Sequence, residues 1–224
     1  MSVAEPLLDL TTLDDAQLRA LIRARVGMVA SGEMVDDWRY GAVSAAQRVL
    51  LRRHFAAQPK PAAVLVPLVE RPAGLTVLLT QRATHLKNHA GQISFPGGRI
   101  EPGDEGPVGA ALRESEEEIG LDRRHVEVVG HLPDHLIVSG FRVTPVVGFV
   151  APAFELRLDR TEVDEAFEVP LAFLLDERNH VRRKRHFEGH EVELTDMPWG
   201  ERNIWGATAG MLYTLYRLLL GIDR

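Results

Sequence analysis

The chain has 224 residues, 45% of them apolar, and a formal net charge of −6. That length and apolar content support a packed core and exclude wholesale disorder, while the acidic balance argues against a general nucleic-acid binder. It contains no cysteine, which rules out disulfides and thiolate metal sites.

From the N-terminus, MSVAEPLLDLTTLDD lacks the basic segment and apolar run of a signal peptide. TTLDDAQLRALIRARV then places Leu13, Leu18, Leu21, Ile22 and Val26 near one helical face, with Thr11 or Thr12 as its expected cap. SAAQRVLLRRHFAA predicts a second helix, opened by Ser44 and Gln47 in capping-box spacing. AAQPKPAA, Ala56 to Ala63, reads as a junction because two prolines interrupt the pattern. The expected organisation is a helical extension over residues 1–60 and a second unit over 61–224.

Beyond the junction the texture becomes β. AAVLVPLVE and LTVLLTQR are short apolar runs separated by the turn-like RPAG. HVEVVGHL, VTPVVGFV and FELRLD are further strand candidates, and HFEGHEVEL predicts a hairpin bent at Gly189. Helices are predicted around Pro107 to Ile119 and around Thr208 to Leu220. The last begins within NIWGATAGMLYTLY, which is shorter than the roughly 18 to 20 apolar residues that span a bilayer. A buried helix, and a soluble cytoplasmic protein without membrane association, are the expectation. The element pattern implies an α+β fold, a mixed sheet flanked by helices. The apolar helices at the two ends suit either core packing or a homodimer interface.

The stretch ALRESEEEIG holds four glutamates in five residues. Like charges at helical neighbour spacing are destabilising unless neutralised. At about 100° per residue, Glu114, Glu117 and Glu118 share an arc of about 100°, and Glu116 points nearly opposite. Arg113 is placed to hold one carboxylate by a bidentate pair. A solvated acidic face is the plain reading. The alternative is a site for a hard divalent cation, Mg²⁺ or Mn²⁺, which takes oxygen ligands and leaves room for substrate phosphates.

Two motifs favour the second reading. GGRIEPGDEGPVGAALRESEEEIGL resembles the Nudix box, the signature of the Nudix hydrolase superfamily, with Arg113, Glu114, Glu117, Glu118, Gly120 and Leu121 at its matching positions. It departs at Ser115, where an apolar residue is usual, and in one extra residue between Gly98 and Arg113. Asp104 or Glu105 must then serve as the early acidic residue. Immediately upstream, LLTQRATHLKNHAGQISFPGG is similar to the motif of the coenzyme A pyrophosphatase branch, with Lys87 in place of an arginine. Lysine keeps the charge and loses the planar fork.

The resemblance implies a Nudix fold, an α/β/α sandwich, and hydrolysis of coenzyme A or its derivatives to 3′,5′-ADP and 4′-phosphopantetheine. It implies Glu114, Glu118 and Glu117 as metal ligands with the carbonyl of Gly98, and Arg113 as the residue that orients a carboxylate. Glu117, or Glu162 in TEVDEAFEVP, would activate water. Arg82, Lys87 and Gly97 would contact substrate phosphates. ADP-ribose, NADH or another small nucleotide derivative is the alternative substrate. A ligand sensor on the same scaffold is the least favoured reading, because the metal ligands are intact. VRRKRHFEGH is the one basic cluster. It reads as a solvated hairpin edge before a rim that attracts anions, and nucleic acid is not expected as a partner.

Overall fold

The computed structural model describes residues 8–30, 32–36, 58–86, 89–187 and 190–222. Helix α1 (Asp15–Val26) opens on Asp14, not on Thr11 or Thr12. Asp14 and Gln17 exchange side-chain and backbone bonds in a full capping box. The two threonines instead belong to a short turn, Leu10–Thr12, capped by Asp9. The predicted helix opened by Ser44 lies outside the described residues.

The main sheet is built from β1 (Met34–Asp36), β2 (Lys60–Val69), β3 (Thr76–Arg82), β4 (Ile93–Ser94), β5 (Gly97–Arg99), β6 (Val126–His131), β7 (Asp134–Ile137), β8 (Phe141–Val150) and β9 (Val163–Pro170). Its order is β1-β7-β8-β2-β3-β4, with β5 also on β2, β6 on β8 and β9 on β3. The central pair is β2 and β8, parallel from Lys60↔Phe141 to Val69↔Val150. Helix α2 (Gly106–Ile119) lies in the crossover between them. The junction read at AAQPKPAA gives way to strand at Lys60, and Pro61 is the second residue of β2, an end position where proline is tolerated.

Alternation along β2 sorts the core into two layers. Ala63, Leu65 and Val69 face Ala110, Ala111 and Ile119 of α2. Ala62, Val66 and Leu68 face the opposite layer, which holds Leu18, Ile22 and Val26 of α1 and Leu212, Leu215 and Leu219 of α4 (Gly206–Leu220). Helix α1 is thus part of the same core as the sheet. Burying a side chain such as Ile22 contributes about 1.5–3 kcal/mol. The architecture is the expected mixed sheet between helices. Among the described residues, no helix is long and apolar enough to cross a membrane.

A short helix α3 (Leu171–Leu174) leads to a smaller sheet, β10 (Val181–Phe187), β11 (His190–Trp199) and β12 (Arg202–Ile204). Strands β10 and β11 form the predicted antiparallel hairpin, closed by Phe187↔His190, and its bend at Gly189 lies outside the described residues. FELRLD is not a strand. Phe154, Leu156 and Leu158 pack against the α2-side core. The backbone there bonds to the end of α2, Arg157 N–H to Ile119 O at 2.8 Å and Asp159 N–H to Glu118 O at 2.9 Å. Its alternation comes from one-sided burial without a strand partner.

Candidate active site

Helix α2 starts on Glu105 with Pro107 in its first turn, and Gly120 ends it in the left-handed conformation, its N–H bonded to Glu116 O. The spacing of the glutamates does what helical geometry requires. Glu116 turns away and pairs with Arg123. Glu114 and Glu118 turn toward β5. Ser115 lies wholly buried beneath the helix, and its hydroxyl donates to Ala111 O at 2.7 Å. That bond satisfies the polar group which stands at the apolar position of the motif.

The Gly97–Gly98 turn lies against both glutamates. A Cβ at Gly98 would stand 2.5 Å from the carboxyl carbon of Glu114, so a side chain there would displace the carboxylate. Gly97 has φ +153°, and a Cβ on it would stand 2.5 Å from Val64 Cα. Only glycine permits this approach. The Gly97 N–H donates to Glu118 Oε2 at 3.1 Å.

Arg113 organises the entrance. Its Nε and Nη2 donate to the two oxygens of Asp104 at 2.9 and 3.0 Å, its Nη1 to Glu114 at 3.0 Å and Glu117 at 2.9 Å, and its Nη2 to Arg99 O at 3.1 Å. The bidentate partner is therefore Asp104 rather than one of the helix glutamates. Of the two candidates for the early acidic residue it is Asp104 that grips the arginine, and Asp104 also accepts from the Glu101 N–H. The Arg113 guanidinium holds the Asp104 carboxyl below its ordinary range.

Glu118 is 4% exposed. Burial pushes its carboxyl up to about 7, against the opposing pull of the Gly97 N–H and Arg82. Burial also raises Glu114, and the negative charges of Glu117 and Glu162 add to it. Glu162 acts on Glu118 in the same direction. Burial and like charge thus act together to disfavour ionisation of both carboxylates, and a nearby positive charge would oppose that effect. Among the described residues, no three acidic or histidine side chains are drawn together closely enough to enclose an ion, since Glu117 is exposed and bonded to Arg113. Glu114, Glu118 and the Gly98 carbonyl have the hard-oxygen chemistry that suits Mg²⁺ or Mn²⁺.

Arg82, at the end of β3, reaches Glu118 Oε1 at 3.8 Å. Glu162 arrives through its backbone carbonyl, which accepts the Ala83 N–H at 2.8 Å. The structure thus brings Gly97, Gly98, Arg82, Arg113, Glu114, Glu117, Glu118 and Glu162 to one end of the sheet. Lys87 lies outside the described residues. Arg99 went unremarked in the sequence, although it directly follows Gly98 in GGRIEPGD.

The basic hairpin is neutralised from within. Arg183 and Arg185 pair with the buried Asp196, Lys184 with Glu191, and Arg182 donates to Tyr213.

The NUDIX domain model matches residues 59–190. The uncharacterized Nudix hydrolase NudL of Shigella flexneri is 43% identical over 177 residues, covering 74% of this chain and 88% of that protein. NudL of Escherichia coli strain K12 is 44% identical over 164 residues, covering 70% and 81%. Among solved structures, the Nudix hydrolase RenU of M. smegmatis is 25% identical, with a TM-score of 0.44 over 50% of this chain and 71% of that one.

Proposed function

The chain belongs to the NUDIX family of hydrolases, and from that premise we propose that it cleaves the pyrophosphate of coenzyme A or its derivatives, releasing 3′,5′-ADP and 4′-phosphopantetheine. The observation that carries the reading is the meeting of the two motifs. Arg82 and the Gly97–Gly98 turn of the upstream segment touch Glu118 and Glu114 of α2. A cation for phosphate and carboxylates for a metal therefore share one site.

Glu114, Glu118 and the carbonyl of Gly98 would hold Mg²⁺ or Mn²⁺, with Glu117 joining them on leaving Arg113. Such an ion, when bound, offsets the charge of the pyrophosphate and makes water more acidic. Arg113, itself gripped by Asp104, keeps Glu114 in place. Arg82 orients a phosphate oxygen, and Lys87 is the second cation that the resemblance assigns to substrate phosphates. Glu162 takes the proton as water attacks phosphorus and the P–O bond to the leaving phosphate breaks. Its charge already acts on Glu114 and Glu118, whereas the carboxylate of Glu117 is engaged by Arg113.

Lys87 favours a second reading, in which ADP-ribose or NADH is the substrate, because a lysine gives phosphate one point charge in place of a fork. The deciding experiment is hydrolysis of coenzyme A, ADP-ribose and NADH side by side with Mg²⁺ and Mn²⁺, products separated by chromatography, with Glu118→Gln as control. Release of 3′,5′-ADP from coenzyme A, lost in the variant, supports the proposal. Turnover of the other nucleotides alone overturns it in favour of the second reading.

A further inference from the structure

Most arginines at the catalytic end of the sheet are committed to carboxylates. Arg113 holds Asp104, Arg142 lies 3.5 Å from Asp134, and Arg202 pairs with Glu165 at 2.5 Å. Arg99 is different. It is exposed, and among the described residues its side chain has no acidic partner. Its guanidinium instead rests over the ring of Phe141, 5.5 Å from the centroid. A cation–π contact fixes the group's position while leaving its N–H donors free.

The backbone beneath it is fixed as well. Arg99 pairs with Ala62 on β2, and its carbonyl accepts from Arg113. Strand alternation sends Gly98 toward Glu114 and the next side chain, Arg99, to the other face. Lys60 stands opposite Phe141 in register, two residues before Ala62 on that same face. It too is exposed, with no acidic partner among the described residues. Among the described residues, two cations without acidic partners thus share one face, Arg99 over the Phe141 ring and Lys60 beside Phe141 in strand register, and Arg99 directly follows Gly98.

We propose that Arg99, Lys60 and Phe141 form a second anion subsite that takes a phosphate monoester carried by the substrate at one sugar's remove from its pyrophosphate. Two cations suit a dianion, and the fork of Arg99 suits two of its oxygens. The subsite deepens the coenzyme A reading and rests on it. Coenzyme A carries such a ribose phosphate, and ADP-ribose and dephospho-coenzyme A do not. Arg99 and Lys60 would then set selectivity among nucleotides.

The test is calorimetric binding of 3′,5′-ADP and 5′-AMP to the full chain, beside the ratio of kcat/KM for coenzyme A over dephospho-coenzyme A. The variants are Arg99→Gln, Lys60→Gln and the conservative Arg99→Lys. Wild type should prefer 3′,5′-ADP by about tenfold or more, as charge-assisted hydrogen bonds give. Arg99→Gln should lose most of that preference, Arg99→Lys should keep part of it, and the kcat/KM ratio should fall in step through KM. An equal affinity for the two ligands in wild type, or a preference that survives Arg99→Gln, overturns the subsite. If the preference depends on Arg99 while coenzyme A is not hydrolysed, the subsite stands and the substrate assignment falls. If coenzyme A is hydrolysed and the preference ignores Arg99, the assignment stands and the subsite falls.

Discussion

Among the described residues, the two most buried carboxylates are Asp196 in the small sheet and Glu118 under the Gly97–Gly98 turn. Asp196 accepts from Arg185 at 2.6 Å and from Asn203 at 2.8 Å, with Arg183 at 3.4 Å. Glu118 has one backbone N–H and an arginine no nearer than 3.8 Å. A buried charge is tolerable when paired and hydrogen-bonded. The small sheet meets that condition within the protein, and the α2 site leaves it unmet. Asp196 is thus neutralised by the protein itself, whereas Glu118 is the carboxylate our proposal assigns to a metal ion.

The largest effect should fall on chemistry. Glu118→Gln should lower kcat/KM at least about 10³-fold, roughly 4 kcal/mol of transition-state stabilisation, measured on whichever nucleotide wild type turns over. A loss under tenfold would break the contrast, since Glu118 would then be merely another buried acid. Asp196→Asn should instead act on folding, costing about 3 kcal/mol in urea unfolding because it strips the charge from between two arginines. Its activity per folded molecule should stay within about threefold on the same rate scale.

Next in size is the response to metal. Mg²⁺ or Mn²⁺ at about 100 times its Kd should stabilise wild type by about 2.7 kcal/mol through mass action. That corresponds to roughly 5–10 °C in Tm for a chain of this size. Asp196→Asn should keep the shift and Glu118→Gln should lose most of it. Equal shifts in both would show the cation binding elsewhere.

The smallest effect is a pH slope in the metal-free protein. Glu118 titrates near 7 when folded, above its unfolded value, so the folded state holds the extra proton between the two. Its contribution to stability therefore falls as pH rises from about 4.5 to 7. Buried His135 is moved the other way, to about 4, by burial among β7, Gly210 and Thr214. Its contribution is complete above about 6.5 and is lost as pH falls toward 4. The two slopes oppose each other between about pH 4.5 and 6.5. Glu118→Gln should uncover the rising slope of His135 and raise metal-free stability at pH 8 by about 1–2 kcal/mol, read from urea midpoints at pH 5, 6 and 8.

The site was more legible in sequence than its surroundings. Helical spacing alone separated Glu116 from Glu114 and Glu118, because side-chain direction on a helix follows from residue number. The sequence did not show that the glycines of FPGG lie against Glu114, whose carboxylate leaves no room for a Cβ at Gly98. Spacing could not say that Asp104 rather than Glu105 grips Arg113, because loop geometry decides it. Nor could it reveal Asp196, whose partners lie on the two strands flanking its own, or the neutralisation of VRRKRHFEGH from within. FELRLD misled because alternation reports one-sided burial and not a strand partner. The prolines of AAQPKPAA stand at the entry to β2, where Pro61 is admissible at a strand's end.

The segment from Arg157 to Glu162 is anchored twice, by the last carbonyls of α2 at one end and by Ala83 at the other. In mechanical terms it is a short strut between the helix that carries Glu114 and Glu118 and the strand that carries Arg82. A shift of α2 along this segment would be passed to Glu162. The spacing between Glu162 and the pair Glu114 and Glu118, the proposed proton acceptor and metal ligands, is thereby kept by covalent length, and a single residue added between Asp159 and Glu162 would detune it without touching any glutamate.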